Sequence, residues 1–362
     1  DYGKAFTWYT KAAEQGHSAA QNSIGTCYYS GEGVEQDYGK AVSWFRKAAE
    51  QGDENAQANL AECYEDGEGV EQDLEQAVYW YRKAAEQGNA RAQSLLGCCY
   101  SNGDGVEQDY EQGVYWYKKA AAQDYEAAQR NLGLCYANGD GVEQNMEQAV
   151  YWYKKAAEQG DDEAQYQLGA CYANGDGVER DMEQAAYWYK EAAGQGNDEA
   201  QAQLGQCYYK GLGVKQDFAQ AVYWWTEAAG QEHAGAQACL GLCYANGQGV
   251  AQNHETAVCW YTKAAGQEHM VAQFKLGECY TKGRGVEQDW GKAVMWYTKA
   301  AEQGHVSAQL KLGYCYCDAQ GVEKDMRTAA IWWEKVARQG NAEAQYNMGQ
   351  CRYFGEGVEQ NY

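Results

Sequence analysis

The stretch Trp44-Phe45-Arg46-Lys47-Ala48-Ala49-Glu50-Gln51 decides the fold of this chain. It returns as Trp80 to Gln87, Trp116 to Gln123 and Trp152 to Gln159, always 36 residues on. With slots 1 to 36 counted from Asp1, ten repeats begin at residues 1, 37, 73, 109, 145, 181, 217, 253, 289 and 325, and two of the 362 residues are left over. No insertion or deletion breaks the register. Slot 8 is Trp and slot 27 is Cys in all ten repeats; slots 13 and 20 are Ala, slots 15 and 21 Gln, slot 33 Gly and slot 34 Val. A fixed period of this length marks a stacked array of supersecondary units.

Slots 2 to 15 predict one helix. Its apolar slots are 2, 5, 6, 8, 9, 12 and 13, as in Leu74, Ala77, Val78, Trp80, Tyr81, Ala84 and Ala85. At 100° per residue they fill one wide arc, as in a helix buried along one side. Asp at slot 1 is an N-cap, and Asp73-Leu74-Glu75-Gln76 has the spacing of a capping box. Gly at slot 16 (Gly52, Gly88, Gly160) is a C-cap suited to a left-handed turn. Asp124, Glu232 and Glu268 replace it, which predicts a looser turn there.

Slots 17 to 30 predict a second helix with an apolar stripe at 20, 24, 27 and 28, as in Ala128, Leu132, Cys135 and Tyr136. Gly at slot 25 (Gly133, Gly169) costs roughly 1 kcal/mol against Ala in a helix. It predicts close backbone approach between helices. Gly at slots 31 and 33 ends the second helix. No strand pattern appears, so a propeller is excluded and a helix-pair solenoid remains.

Repeat 3 runs Ala77-Val78-Tyr79-Trp80-Tyr81-Arg82-Lys83-Ala84-Ala85-Glu86-Gln87-Gly88, then Ala92-Gln93, Leu96-Gly97, Tyr100 and Gly103-Asp104-Gly105-Val106. This pattern resembles the Sel1-like repeat, a relative of the tetratricopeptide repeat, and the resemblance covers residues 1–362. It implies an all-α fold: a single right-handed α/α superhelical solenoid of ten 36-residue helix pairs. It also implies a non-enzymatic scaffold or adaptor that binds a protein or peptide partner. The secreted, cysteine-rich branch of the family pairs cysteines at slots 13 and 21. Here those slots are Ala and Gln.

Composition narrows the partners. The chain carries 29 basic and 52 acidic residues, a formal charge of −23. That argues against nucleic acid, which calls for a basic stripe, and against anionic membranes. No apolar run is long enough for a membrane helix or a signal-peptide core. The absence of proline fits an all-helical array with glycine-made turns. The chain starts and stops in one phase without polar capping repeats, which solenoids need for solubility. A window of a longer array, or a unit that meets others end to end as a filament, is therefore expected.

The ten slot-27 cysteines fall in the apolar stripe, where repeats roughly 10 Å apart cannot bring Cα atoms within the 4.4–6.8 Å of a disulfide. Cys98, Cys239, Cys259 and Cys317 lie off the stripe with no evident partner, and free exposed thiols favour a reducing compartment. With no Asn-x-Ser/Thr acceptor, the sequence leans intracellular. His17, His233, His269 and His305 occupy slot 17, an N-cap position; at repeat spacing they cannot share a metal. Gly103-Asp104-Gly105 follows a helix and lacks the third glycine of a dinucleotide loop. Val106 and Glu107 spoil an EF-hand. No nucleophile–base spacing suggests catalysis. No cofactor, metal or catalytic residue is expected.

One surface exceeds packing needs. Slot 7 lies opposite the apolar arc, yet it is Tyr in Tyr79, Tyr115, Tyr151, Tyr187 and Tyr223. Slot 10 adds Arg82, Lys118, Lys154 and Lys190, and slot 3 adds Glu75, Glu111, Glu147 and Glu183. In tetratricopeptide-like arrays the first helix lines the concave groove. These tyrosines either cover neighbouring first helices or form a ladder of contact residues for an extended acidic and apolar segment. Steering toward that cationic edge would weaken with salt.

Overall fold

The structure, a computed structural model, describes residues 2–358. Among the described residues it is all helical, with twenty helices and no strand. The chain groups into two compact units, 1–181 and 182–362.

In the first unit the helices are α1 (Tyr2–Glu14), α2 (Ser18–Ser30), α3 (Tyr38–Glu50), α4 (Glu54–Asp66), α5 (Leu74–Gln87), α6 (Ala90–Asn102), α7 (Tyr110–Ala121), α8 (Glu126–Asn138), α9 (Met146–Glu158) and α10 (Asp162–Asn174). In the second they are α11 (Met182–Gly194), α12 (Asp198–Lys210), α13 (Phe218–Gly230), α14 (Ala234–Asn246), α15 (His254–Gly266), α16 (Met270–Lys282), α17 (Trp290–Glu302), α18 (Val306–Asp318), α19 (Met326–Ala337) and α20 (Ala342–Phe354). Odd-numbered helices are the first helices of the repeats.

The ends of the helices follow the sequence closely. The slot-1 carboxylates and amides cap the first helices: Asp37 accepts from the Lys40 N–H and Asn145 from the Gln148 N–H. The capping box stays half made. The Asp73 N–H that Gln76 would serve is already donated to Tyr64 O at 2.9 Å, tying the loop back to the preceding second helix. Slot 31 is left-handed, at φ 74° in Gly31 and even at φ 58° in Ala319. At slot 33 a side chain is excluded outright: a Cβ on Gly105 would fall on the Leu74 carbonyl.

The turns at Asp124, Glu232 and Glu268 are not looser. These residues adopt φ of 60°, 67° and 62° and keep the same bonds as the glycine turns. The Asp124 and Tyr125 N–H groups reach Ala121 O and Ala120 O as those of Gly52 and Asp53 reach Ala49 O and Ala48 O. Two hydrogen bonds hold the turn, so the left-handed strain is absorbed rather than relieved.

The core is a row of repeated clusters. Leu at slot 24 (Leu60, Leu96, Leu132, Leu204) is fully buried, a gain of roughly 1.5–3 kcal/mol each. Slot 25 meets the expected close approach and adds a ring to it: a Cβ on Gly133 would stand 3.3 Å from the Ala149 carbonyl oxygen, and one on Gly97 3.2 Å from that of Gly113, with an aromatic ring closer still. A Cβ on Gly133 would stand 2.6 Å from the Tyr153 ring, and one on Gly205 2.6 Å from the Trp225 ring. Phe45, Tyr117 and Tyr153 in the first unit, and Trp225, Tyr261, Tyr297 and Trp333 in the second, thus seat their slot-9 rings on the second helix before them.

Trp80 packs against the core cluster of the preceding repeat, which holds Phe45 and Leu60, and Trp152 against the one that holds Tyr117 and Leu132. Trp116 is buried at 7 % exposure and most others are half-buried. Trp8, with no preceding core in this structure, is 68 % exposed.

Candidate protein-binding face

The first helices bury slots 5, 9, 12 and 13, so slot 7 must point outward. Tyr79, Tyr115 and Tyr151 in the first unit are 48, 48 and 50 % exposed, and Tyr187 and Tyr223 in the second are each 51 % exposed. None is buried between first helices. Each ring stands edge-on against the tryptophan that follows it in sequence. Tyr79–Trp80, Tyr115–Trp116, Tyr151–Trp152 and Tyr187–Trp188 have centroids 5.0 Å apart and Tyr223–Trp224 4.9 Å, with planes 77–82° apart. Trp80, Trp116 and Trp152 are held by core clusters, so their tyrosines are braced, exposed rings. Edge-to-face pairs of this kind add about 0.5–1.5 kcal/mol.

The cations divide differently from the sequence expectation. The lysines over the slot-7 rings come from slot 11: Lys83 lies 5.7 Å from the Tyr79 centroid, and Lys119 lies 4.7 Å from Tyr115 and 5.0 Å from Trp116. Arg82 donates to the Tyr100 hydroxyl at 2.8 Å and Lys118 sits 5.7 Å over Tyr136, both toward the second helix of their own repeat. Lys154 approaches Glu158 at 3.9 Å, and Lys190 is exposed. The reason is reach: slot 11 is one turn from slot 7, whereas slot 10 sits beside the groove between paired helices. Elsewhere slot 7 stays exposed but loses the ring, in Cys259, Met295 and Ile331.

Two polar sets are structural. Slot-17 histidines cap second helices: Nδ1 of His17, His233, His269 and His305 accepts the N–H of Ala20, Ala236, Ala272 and Ala308 at 3.0–3.3 Å. The slot-15 and slot-21 glutamines, whose invariance had no sequence explanation, form a ladder between repeats. Among the described residues no group of three or more His, Cys, Asp or Glu is placed to hold a metal.

All fourteen cysteines are free. The slot-27 thiols are buried except Cys279, which is half-buried, and burial pushes those of Cys63 and Cys99 up to about 12. Of the four off-stripe cysteines only Cys259 is exposed. Cys98 does have partners: the Tyr117 hydroxyl at 3.4 Å and the Asn131 amide at 3.6 Å. Burial is also the leading cause that pushes the thiols of Cys98, Cys239 and Cys317 up, the direction opposite to an activated thiolate. No helix among the described residues is long and apolar enough to cross a membrane.

Comparison with known proteins places this geometry. The Sel1 repeat model matches eleven times, over residues 1–17, 18–53, 55–89, 90–125, 126–161, 162–197, 198–233, 234–269, 271–305, 306–341 and 342–362. Its phase groups a second helix with the first helix that follows it, as in 126–161, where the Tyr153 ring meets Gly133. A protective antigen of uropathogenic Escherichia coli strains displaying an SLR fold is 37 % identical, with a TM-score of 0.78 over 99 % of this chain and 84 % of that one. A Sel1 repeat protein from Oxalobacter formigenes is 34 % identical, with a TM-score of 0.65 over 85 % of this chain and 89 % of that one. No curated protein matches the chain. The chain belongs to the Sel1 repeat family, whose α-solenoids are generally non-catalytic scaffolds for protein interaction.

Proposed function

We propose that the chain is a scaffold that grips a partner segment on the outward face of its first helices. Tyr79, Tyr115 and Tyr151 do so in the first unit, and Tyr187 and Tyr223 in the second. The observation that carries this reading is the Tyr–Trp pair: five exposed rings, each edge-on against the neighbouring tryptophan, of which Trp80, Trp116 and Trp152 are held by core clusters. A ring held in place loses little freedom on binding, so more of its contact energy appears as affinity. Lys83 lies over Tyr79 and Lys119 over Tyr115, while Arg82 and Lys118 line the edge toward the second helix of their own repeats, and Lys154 and Lys190 hold the same slot as these two. That edge suits a segment with apolar and acidic residues.

The test changes Tyr79, Tyr115 and Tyr151 together to Ser. Circular dichroism should be unchanged, because none of the three is in the core. Partners captured from lysate by the unaltered chain should be lost at least tenfold. Capture that persists with the fold intact overturns the reading.

A further inference from the structure

The second unit carries a different kind of concavity on its second helices. Between α12, α14 and α16 lies a cleft of about 610 Å³. The sequence explains why it opens there. Slot 22 holds bulky residues in neighbouring repeats, Phe274 and Leu310, but Ala202 and Ala238 in two successive ones. Slot 19 between them is Gly235. Three small residues in a row leave the volume unfilled. The floor is built from the slot-9 rings of Trp225 and Tyr261, both buried. The Trp225 indole N–H is already satisfied by Ala202 O at 3.1 Å, so the floor presents an apolar ring face.

The rim is the second observation. Lys210 and Lys275 stand on it, with His233 and His269. Among the described residues that line the cleft none is acidic, in a chain with 52 acidic residues and a formal charge of −23. Lys275 pairs with Glu278 at 2.8 Å, but Glu278 also holds Lys282 at 2.9 Å, so this trio keeps one positive charge. Glu199 approaches His233 Nε2 at 3.4 Å, but Lys210 and the one positive charge of the Lys275–Glu278–Lys282 trio outnumber it, and an apolar floor under such a rim is complementary to an apolar side chain flanked by carboxylates.

We infer that the cleft between α12, α14 and α16 is a second docking site, separate from the tyrosine face, for an acidic peptide segment bearing an aromatic or aliphatic anchor. The anchor enters between Ala202 and Ala238 onto Trp225 and Tyr261. Carboxylates beside it meet Lys210 and Lys275.

The probe is a fluorescein-labelled decapeptide of alternating acidic residues and Leu or Phe, titrated against the full chain by fluorescence polarisation. Two control peptides carry Lys in place of the acids or Gly in place of the apolar residues. The acidic apolar peptide should bind, and both controls should bind at least tenfold more weakly. Ala202→Leu and Ala238→Phe fill the cleft with residues that slot 22 carries naturally at Leu310 and Phe274, so the fold should tolerate them. Each should weaken binding at least tenfold, and Lys210→Glu about fivefold. Changing Tyr79, Tyr115 and Tyr151 to Ser should leave it unaltered, which separates this site from the tyrosine face.

Cys239 lines the same cleft and gives a readout that needs no variant. The peptide should slow its alkylation by iodoacetamide, followed by mass spectrometry, and leave exposed Cys259 unaffected. Absence of binding at millimolar peptide, equal binding of the lysine control, or binding that survives both filling substitutions overturns the inference. Loss of binding in the tyrosine variant alone does so too, as does an unprotected Cys239.

Discussion

Gln51 Nε2 donates to Gln21 Oε1 at 2.6 Å, while Gln21 Nε2 donates to Ala13 O at 3.2 Å. One buried amide therefore ties its own first helix to the next repeat. The same relation recurs at Gln87–Gln57, Gln123–Gln93 and Gln159–Gln129 in the first unit, and at Gln231–Gln201, Gln267–Gln237 and Gln303–Gln273 in the second. It stops at the last repeat, where Gln339 turns back to Lys335 O and Gln309 Oε1 is left without a partner. A buried polar group is tolerated only when its bonds are made. The ladder makes them only if neighbouring repeats stack in register.

The two ends of this bond should differ in cost. Gln57 is buried and also bonds Ala49 O at 3.1 Å; Gln87 is exposed. Gln57→Ala should lose about 2–4 kcal/mol from the missing bonds and the cavity. Gln87→Ala should lose about 0.5–1.5 kcal/mol, because water replaces it. Urea unfolding of each variant measures both. Equal losses would mean that the ladder is decorative.

Trp152 and Trp116 occupy the same slot at different depths. Trp116→Ala should cost about 3–5 kcal/mol, the range for a buried aromatic. Trp152→Ala, half-buried, should cost about 2 kcal/mol, and Trp8→Ala less than about 0.5 kcal/mol. In a linear array these losses spread to adjacent repeats. Hydrogen exchange after Trp116→Ala should therefore rise in α5 and α6 as well as in α7.

At slot 25 the ring is the nearer limit: the Tyr153 ring lies 2.6 Å and the Ala149 carbonyl oxygen 3.3 Å from a Cβ on Gly133. Gly133→Leu should cost about 3 kcal/mol or more by displacing the Tyr153 ring. Gly133→Ala should cost under about 1.5 kcal/mol. Ala gains roughly 1 kcal/mol of helix propensity, and Ala61 already faces Tyr81 in repeat 2. Thermal melts that rank Ala below Leu would refute the ring seat.

These cases show what could be read from sequence. Slot 8, slot 27 and the slot-17 histidines were legible because burial and capping depend on position within one helix. The ring seat at Gly133 and the roles of Gln57 and Lys119 were not. Each depends on which helix arrives from the neighbouring repeat, and at what distance, and periodicity within a chain carries no such information. The outward aim of Tyr79 was legible from its angle alone. Its bracing by Trp80 was not, because i,i+1 side chains diverge on a helix unless bulky rings lean together. The cleft went unread because it arises from missing volume, at Ala202 and Ala238, rather than from any motif.

The His269 and His305 caps predict a pH dependence in the second unit. Burial is the leading cause that holds the imidazoles of His269 and His305 below their ordinary value, helped at His269 by His233. His305 also stacks on Phe274 at 4.4 Å and faces Lys275 and Glu278. Protonating Nδ1 turns the acceptor for Ala272 or Ala308 into a donor, so the cap is lost with the charge. A folded pKa below the unfolded one means that the unfolded chain binds more protons between the two values. The stability is thus complete above the unfolded value of about 6.5 and declines as pH falls toward the folded one. Between about pH 6.5 and 5, before most carboxylates titrate, the melting temperature of the unaltered chain should drop. His269→Asn with His305→Asn should flatten that decline and leave the helices capped, because Asn89 and Asn197 already cap at slot 17. The loss in midpoint from pH 7 to 5 should be smaller in the double variant. An identical decline in both chains would show that the two histidines do not carry it.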